Sequence, residues 1–379
     1  MDSGGERLYA RGVQIEGVTI VAVDMLTVPE GFFEAVEQEL GPFASSSGRP
    51  RALWLVATHT HCAPDSQMLN PQMTFAVPGI APYSDRWFRW YVQRTVEAVR
   101  NVWAAPARPV KNLGIRRFPV DLNRGRRPGA KPDKTGWVLE GDGRPLLASY
   151  PAHATVHDET WNRTDGDWPA VLAERLNTPV VPGPIGDVSP DAPGRGPVEK
   201  CRNFVESFVS SMAKRPPRPV LTAGRSIVPH TAVCRLSPPV PHPAFAKAYN
   251  VPDALAQVVI GKFAQKETRI RTVKLGKFLL VGIPGEPTAE VGRQMQAVAR
   301  KAGFPHCLVV SHVDGWIGYV LTPADYARGG YEATLSFNGP TTSERLVEAL
   351  KDSLSAGAPS PRPNGQGSKC PSFSFLVSR

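Results

Sequence analysis

The sequence predicts an α/β fold in which a mixed β-sheet core is flanked by helices. Residues 52–58 (ALWLVAT) form an uninterrupted apolar run, which is typical of a strand buried on both faces. Residues 85–104 carry Trp87, Tyr91 and Val99 at helical spacing. Because strand-like and helix-like segments alternate along the chain, the helices are expected to cover the faces of the sheet.

The other elements follow from the same patterns in chain order. Residues 13–25 are rich in β-branched side chains and predict a hairpin that turns near Gly17. Residues 30–40 have helical apolar spacing and end at Gly41 and Pro42. Further strands are predicted at residues 146–150, 178–181, 220–228, 269–275 and 278–283, and further helices at 168–176, 198–212, 254–263, 288–302 and 343–354.

The length of 379 residues fits one large domain followed by a tail. No shift in composition marks an internal boundary, so residues 1–355 are predicted to form a single domain. Residues 356–379 begin with AGAPSPRPNGQGSK, a stretch rich in Pro, Gly and Ser, and predict a disordered tail. The five cysteines are widely spaced, which argues against a disulfide framework and against a cysteine zinc site.

The net charge of +10 raises the question of anionic partners. The basic residues occur in short, dispersed clusters such as residues 124–127, without interleaved aromatic residues, so no nucleic-acid partner is expected. The charge could favour peripheral contact with an anionic membrane surface, but the dispersed clusters favour a merely soluble basic surface. The N-terminal residues MDSGGERLYARG contain no apolar signal core, and the chain as written is expected to be cytoplasmic. The sequence does not indicate an oligomeric state.

Two histidines follow the apolar strand at residues 52–58. His59 and His61 lie at positions i and i+2, so on an extended segment they project to the same side. Such a pair at the end of a strand offers nitrogen ligands to a metal. A hydrogen-bonded pair without a metal is the alternative. His153 also follows an apolar strand and, taken alone, fits a buried core histidine equally well.

Six segments in order resemble the neutral/alkaline non-lysosomal ceramidase family, over residues 8 to about 345. ATHTHCAPDS at residues 57–66 resembles the family signature ATHTHSGPDS. The other five segments are LYARGVQIEGVTIVAVDML at residues 8–26, YPAHAT at 150–155, IGDVSPD at 185–191, PGEPT at 284–288 and the tyrosine-containing stretch at 318–332. The resemblance implies the fold of the ceramidase catalytic domain.

The resemblance also implies a zinc ion held by His59, His153, Glu286 and Tyr319. Two imidazoles and a carboxylate form a frequent catalytic zinc set that leaves a position open for water. The residues alone permit other interpretations. Glu286 also fits a carboxylate at the start of a helix, and Tyr319 also fits a packing aromatic residue.

Four further residues receive roles from the resemblance. His61, Arg124 and Tyr331 are expected to bind the carbonyl oxygen of the substrate and to stabilise its developing negative charge. Ser189 is expected to position the substrate, with a role as nucleophile as the alternative. The motif segments around His153 and around Cys62-Ala63-Pro64 depart from the family pattern, which changes the surroundings of the ligands but not the ligands themselves.

These implications predict a zinc-dependent hydrolase that cleaves an N-acyl amide bond by attack of zinc hydroxide. Its expected substrate is a small molecule or a lipid with an N-acyl group, such as ceramide. Two alternatives stay open at this point: a lactone or ester hydrolase that uses the same zinc site, and a non-catalytic descendant that binds a ligand.

Overall fold

The computed structural model describes residues 7–41, 52–73, 81–222, 227–355 and 373–378. The strands in these residues are β1 (Ala10–Ile15), β2 (Val18–Val23), β3 (Ala52–Ala57), β4 (Arg108–Val110), β5 (Asn112–Pro119), β6 (Asn123–Gly125), β7 (Thr135–Gly141), β8 (Arg144–Tyr150), β9 (Val180–Pro182), β10 (Val188–Pro190), β11 (Arg218–Thr222), β12 (Ile227–Arg235), β13 (Glu267–Leu275), β14 (Phe278–Gly282), β15 (Glu286–Pro287), β16 (His306–Val310), β17 (Tyr319–Val320) and β18 (Phe373–Ser378). The helices are α1 (Phe32–Leu40), α2 (Asp85–Ala104), α3 (Asp167–Leu176), α4 (Pro197–Ala213), α5 (Phe245–Tyr249), α6 (Asp253–Phe263), α7 (Ala289–Lys301), α8 (Pro323–Ala327), α9 (Tyr331–Thr334) and α10 (Thr342–Ser355).

Three larger sheets contain most of these strands. Their strand orders are β3-β2-β1-β18-β4, β11-β5-β7-β8-β9 and β12-β13-β14-β16. Each of these sheets has one parallel pair at an edge, namely β2–β3, β8–β9 and β14–β16, and its other pairs are antiparallel. Two short ladders, β6–β10 and β15–β17, lie outside the larger sheets. The prediction of an α/β fold with mixed sheets is confirmed.

The three sheets share one apolar core. Trp54 of β3, Trp137 of β7 and Phe278 of β14 all belong to it, and the rings of Trp137 and Phe278 stack with centroids 6.1 Å apart. Helices pack against other apolar side chains of the same sheets, with α1 and α2 on the first sheet, α3 and α4 on the second, and α7 and α10 on the third. None of the helices in the described ranges has the length and hydropathy of a membrane span.

The predicted strand at residues 220–228 differs from the structure. The chain there forms two strands, β11 and β12, which belong to different sheets, and residues 223–226 between them lie outside the described residues. Apolar residues on both sides made the stretch resemble one strand. Only the pairing partners, β5 for β11 and β13 for β12, distinguish the two.

The predicted tail at residues 356–379 contains one described element. Strand β18 (Phe373–Ser378) lies between β1 and β4 and pairs antiparallel with both. Its sequence, FSFLVS, is apolar and suits a strand, and it occupies the backbone hydrogen-bonding edges of both neighbours. The structure therefore differs from the expectation of disorder at this segment, whereas residues 356–372 and residue 379 lie outside the described residues.

Candidate metal centre

Three separate chain segments bring the predicted ligands together. His59 follows β3, His153 follows β8, and Glu286 is the first residue of β15. The first two segments are joined by a parallel bridge between Thr60 and Ala154. His59, His153 and Glu286 have exposed fractions of 3%, 0% and 2%, so all three side chains are buried.

Backbone carbonyls orient both histidine rings. Nδ1 of His59 lies 2.7 Å from the Leu26 oxygen, and Nδ1 of His153 lies 2.9 Å from the Val188 oxygen. Because a carbonyl only accepts, each Nδ1 carries the hydrogen and donates it. Each Nε2 is therefore left with a lone pair, which is the form in which an imidazole binds a metal.

These lone pairs converge on one carboxylate oxygen. Oε2 of Glu286 lies 3.5 Å from Nε2 of His59 and 3.3 Å from Nε2 of His153. Nε2 of His59 and Oε2 of Glu286 are buried without a hydrogen-bond partner among the described residues. Atoms bound tetrahedrally to zinc at ~2.0–2.1 Å are about 3.3–3.4 Å apart. The chemistry of the three side chains therefore suits a zinc ion, and the two separations from Glu286 match the spacing of zinc-bound atoms.

Hydrogen bonds fix the remaining carboxylate oxygen and the tyrosine. Nε1 of Trp316 donates to Oε1 of Glu286 at 2.9 Å, which leaves Oε2 free to face the histidines. Tyr319 is 5% exposed, and its hydroxyl accepts a hydrogen bond from Arg126 at 2.9 Å. The same guanidinium lies 3.3 Å from Nε2 of His153. Tyr319 thus borders the cluster, with Arg126 between its hydroxyl and His153.

The electrostatics keep the carboxylate charged and the rings neutral. Burial lowers the pKa of His59 to about 4, against the opposing influence of Glu286. Burial likewise lowers the pKa of His153. Burial alone would raise the pKa of Glu286, but His59 and the contact with His153 hold it well below its usual value. An anion beside two neutral imidazoles has the charge that a divalent cation requires.

The segment at residues 185–191 supports the cluster through its backbone. A Cβ at Gly186 would lie 2.4 Å from the backbone oxygen of Glu286, so this close approach requires glycine. Oδ1 of Asp187 accepts from the backbone N–H of Ala289 at 2.8 Å, at the start of α7. The Val188 oxygen orients His153, as described above. Each residue of this motif therefore has a structural task beside the ligands.

The structure places the other predicted site residues at different distances from the cluster. The His61 side chain is exposed, with its ring 4.9 Å from that of His59. The Tyr331 side chain is 59% exposed, and its ring lies 5.8 Å from that of Tyr319. Ser189 is half-buried and follows Val188, which anchors His153. These three residues lie beside the proposed ligands in space or in sequence.

Arg124 and Arg126 have different surroundings. The Arg124 side chain is exposed and forms no hydrogen bond or ion pair with the residues that the structure describes. Arg126 instead bonds Glu332 at 2.7 Å and the Gly186 oxygen at 2.8 Å, besides contacting Tyr319. The Arg124 backbone lies opposite Ser189 in the β6–β10 ladder, and its side chain has no described contact with the cluster. The structure instead brings Arg126, which the sequence comparison did not single out within the basic run.

His312 is a second residue that sequence reasoning missed. It is fully buried, and its ring stacks on that of His59 with centroids 4.2 Å apart. It follows strand β16 as His59 follows β3, and this pattern of an apolar strand ending near a histidine was the available signal. His59 and His312 also share a backbone with positive φ, 64° and 57°, which is uncommon outside glycine.

A second group of metal-binding residue types lies farther along the chain. His157, Asp167 and Cys201 are buried and offer ligand atoms within 4.8 Å of one another. Oδ2 of Asp167 accepts from the backbone N–H of His157 at 2.8 Å and lies 3.0 Å from its Nδ1. These hydrogen bonds between His157 and Asp167 explain why the polar side chains lie together at the start of α3 without a metal.

Comparison of the sequence with known proteins gives one local match. No protein-family model matches the chain. A stretch of 103 residues is 33% identical to the neutral ceramidase of Mycobacterium tuberculosis, covering 24% of this chain and 16% of that protein.

Solved structures match over most of the chain. The neutral ceramidase of Pseudomonas aeruginosa superimposes with a TM-score of 0.72 at 17% identity, covering 89% of this chain and 66% of that one. A ceramidase complexed with C2 gives a TM-score of 0.70 at 15% identity, covering 89% and 67%. This chain thus spans 16% of the curated relative and about two thirds of the solved structures. In its fold this chain is similar to neutral ceramidases, and over 103 residues it is also similar to one of them in sequence.

Proposed function

We propose that this protein is a zinc-dependent hydrolase that cleaves the amide bond of an N-acyl substrate, either ceramide, a related N-acyl lipid or a shorter N-acylated metabolite. The observation that carries the proposal is the buried convergence of His59 Nε2, His153 Nε2 and Glu286 Oε2. These three atoms would suit a cation between them, since two of them, His59 Nε2 and Glu286 Oε2, are buried without a hydrogen-bond partner among the described residues. The neutral ceramidase-like fold supports an amide as the bond that is broken.

Zinc bound there would act as a Lewis acid and lower the pKa of a coordinated water to about 7. His59, His153 and Glu286 would hold the ion, with Tyr319 beside them as the fourth proposed ligand. Burial raises the pKa of Tyr319 and the nearby Glu286 adds to this, while the guanidinium of Arg126 opposes it. Arg126 is thereby assigned to orient the Tyr319 hydroxyl.

The exposed residues are assigned to the substrate. Tyr331 and His61 lie on the accessible side of the cluster and would donate hydrogen bonds to the carbonyl oxygen as negative charge develops on it. Ser189 would position the substrate through its hydroxyl. Arg124 was assigned to the carbonyl oxygen by the resemblance; because Arg126 contacts Tyr319 and His153, it is the better candidate for an arginine that acts at this site.

The test combines metal analysis with turnover. Purified protein is expected to contain zinc and to hydrolyse a fluorogenic N-acyl amide, and a chelator is expected to abolish turnover until zinc is restored. Glu286→Gln should bind zinc weakly and lose activity. Glu290→Gln, an acidic residue of α7 that pairs with Arg293 on the surface, is the matched control and should behave as the wild type. Full turnover after complete zinc removal would overturn the proposal.

A panel of substrates separates the alternatives. A lactone or ester hydrolase on the same site would process esters while leaving matched amides intact. A non-catalytic descendant would bind an N-acyl lipid and turn over neither bond type. Zinc binding alone therefore does not distinguish the amide hydrolase from the ester hydrolase or from the non-catalytic descendant. The ratio of kcat/KM for the amide to that for the matched ester distinguishes them.

A further inference from the structure

The two ring nitrogens of His312 are buried without a hydrogen-bond partner among the described residues. Its side chain is 0% exposed, and neither Nδ1 nor Nε2 has a hydrogen-bond partner in the described part of the chain. A neutral imidazole carries one donor and one acceptor, and both are normally satisfied when buried. His59 and His153, by comparison, each have Nδ1 bonded to a backbone oxygen. Something outside the described side chains is needed to satisfy the His312 ring.

The backbone holds His312 between the two ligand-bearing segments. Its oxygen accepts from the N–H of Ala57 at 3.3 Å, two residues before His59. Its own N–H donates to the oxygen of Gly285 at 3.2 Å, immediately before Glu286. An antiparallel bridge between Val56 and Val313 reinforces the first of these contacts. The position of His312 relative to both ligands is therefore built into the backbone pairing.

The ring of His312 faces the same space as the proposed ligands. It stacks on the ring of His59 with an interplanar angle of 21° and centroids 4.2 Å apart. One ring nitrogen of His312 and one ligand atom each of His59 and Glu286 all lie within 4.8 Å of one another. The lone pairs of two stacked imidazoles lie in nearly parallel planes, so one of the two rings would turn out of the stack for both nitrogens to face one ion.

We propose that His312 is a further ligand of the metal centre and binds the same ion as His59 and Glu286. This inference rests on the proposed function of the cluster as a zinc site. It adds a nitrogen donor to the ligands taken from the family resemblance, and it accounts for a buried ring whose nitrogens have no hydrogen-bond partner among the described residues. With His312 the proposed protein ligands would number five, so a coordinated water would have a position only if His312 took the place of the Tyr319 oxygen, which Arg126 holds by a hydrogen bond.

A buried water molecule is the competing explanation for the ring, and the two explanations predict different effects of His312→Leu. Leucine has a similar volume and removes two buried polar atoms, so the metal-free variant should melt at the same temperature as the wild type or higher. If His312 is a ligand, the variant should also bind zinc at least about 100-fold more weakly in a competition assay with a chelator. The matched control is His306→Leu, which removes a half-buried imidazole from the start of β16 and should leave zinc affinity unchanged.

Substitution of Co2+ for zinc adds a readout that does not depend on activity. The visible absorption of the Co2+ form should change in intensity and position in His312→Leu, because the number of ligands changes, and should not change in His306→Leu. His312→Gln, which keeps a polar side chain, is measured in the same way if the leucine variant does not fold. Wild-type zinc affinity and an unchanged Co2+ spectrum in the folded variant would overturn the role of His312 alone. Absence of zinc binding by the wild-type protein would overturn the metal centre as a whole.

Discussion

Glu286 and Tyr319 lie directly opposite each other as the first residues of the parallel β15–β17 ladder. The backbone N–H of Glu286 donates to the Gly318 oxygen at 3.0 Å, and a Cβ at Gly285 would lie 2.8 Å from that same oxygen. Gly285 is thus a glycine because the two segments approach closely here, whereas Gly318 has a φ of 83° and a Cβ there would lie 2.3 Å from the Leu335 oxygen. Backbone pairing, rather than contact between the two side chains, sets these proposed ligands side by side.

The contrast between Arg126 and Arg124 yields the first prediction. Arg126→Ala removes hydrogen bonds to Tyr319, Glu332 and the Gly186 oxygen, so amide turnover should fall by about 100-fold or more, the loss typical of a misoriented active-site group. Arg124→Ala removes an exposed side chain and should retain activity within about twofold, because surface changes of this kind alter little. Steady-state kinetics of both variants measure this. A larger loss in Arg124→Ala than in Arg126→Ala would contradict the placement of Arg126.

The second prediction concerns Gly186. Its Cβ in Gly186→Ala would meet the backbone oxygen of Glu286 at 2.4 Å, so the variant should lose about 1–3 kcal/mol of unfolding free energy and also bind zinc more weakly. Gly261→Ala is the control, since no atom lies within 4 Å of the new Cβ and the residue is inside α6. That change should stabilise the protein by about 0.5–1 kcal/mol. Urea denaturation of both metal-free variants measures these changes in the free energy of unfolding. Equal changes in the two variants would disprove the steric explanation.

The third prediction concerns pH and the stability of the metal-free protein. Burial lowers the pKa of His59 to about 4 in the folded state, below its ordinary value of about 6.5 in the unfolded chain. The unfolded state therefore binds more protons between these values, so stability is complete above pH 6.5 and declines as the pH falls toward 4. His59 alone should remove about 2 kcal/mol at pH 5.

Urea denaturation at pH 7.5 and pH 5, after chelation of metals, measures this decline. His153 and His312 have lowered pKa values caused by burial and should act in the same direction. His59→Gln should show a weaker dependence on pH than the wild type, because it lacks one of these groups. Equal stability of the wild-type protein at both pH values would be incompatible with a neutral His59 in the fold.

The fourth prediction concerns Tyr331. Tyr331→Phe removes a phenolic donor beside Tyr319 and should lower kcat by about 10-fold to 100-fold with little change in KM, since the hydrogen bond is proposed to strengthen as the oxyanion forms. Tyr83→Phe is the matched control: its hydroxyl donates to Asp85 at the start of α2 at 3.3 Å, and its loss should leave kcat unchanged. A parallel rise in KM without loss of kcat would assign Tyr331 to substrate binding alone.

Local patterns predicted most helices because apolar spacing survives in sequence. The predicted helix at residues 85–104 coincides with α2, and the helix at 288–302 with α7 to within one residue at each end. Strands β5 and β7 were missed, since Arg116, Arg117 and Glu140 interrupt their apolar character. Arg116 and Glu140 pair across these two strands at 2.7 Å, so the charges that obscured the strands in fact join them.

The sequence by itself determined the alternation of strands and helices. Through six segments that follow the order of the ceramidase family, it also identified His59, His153, Glu286 and Tyr319 as candidate ligands. Tertiary structure alone decided that Arg126 rather than Arg124 meets Tyr319, that His312 stacks on His59, and that β18 joins the first sheet. The physical reason is that these relationships depend on which backbone segments pair. Arg126, two residues from Arg124, and His312, which lies outside every motif, acquire their roles only when distant strands bring the side chains into contact.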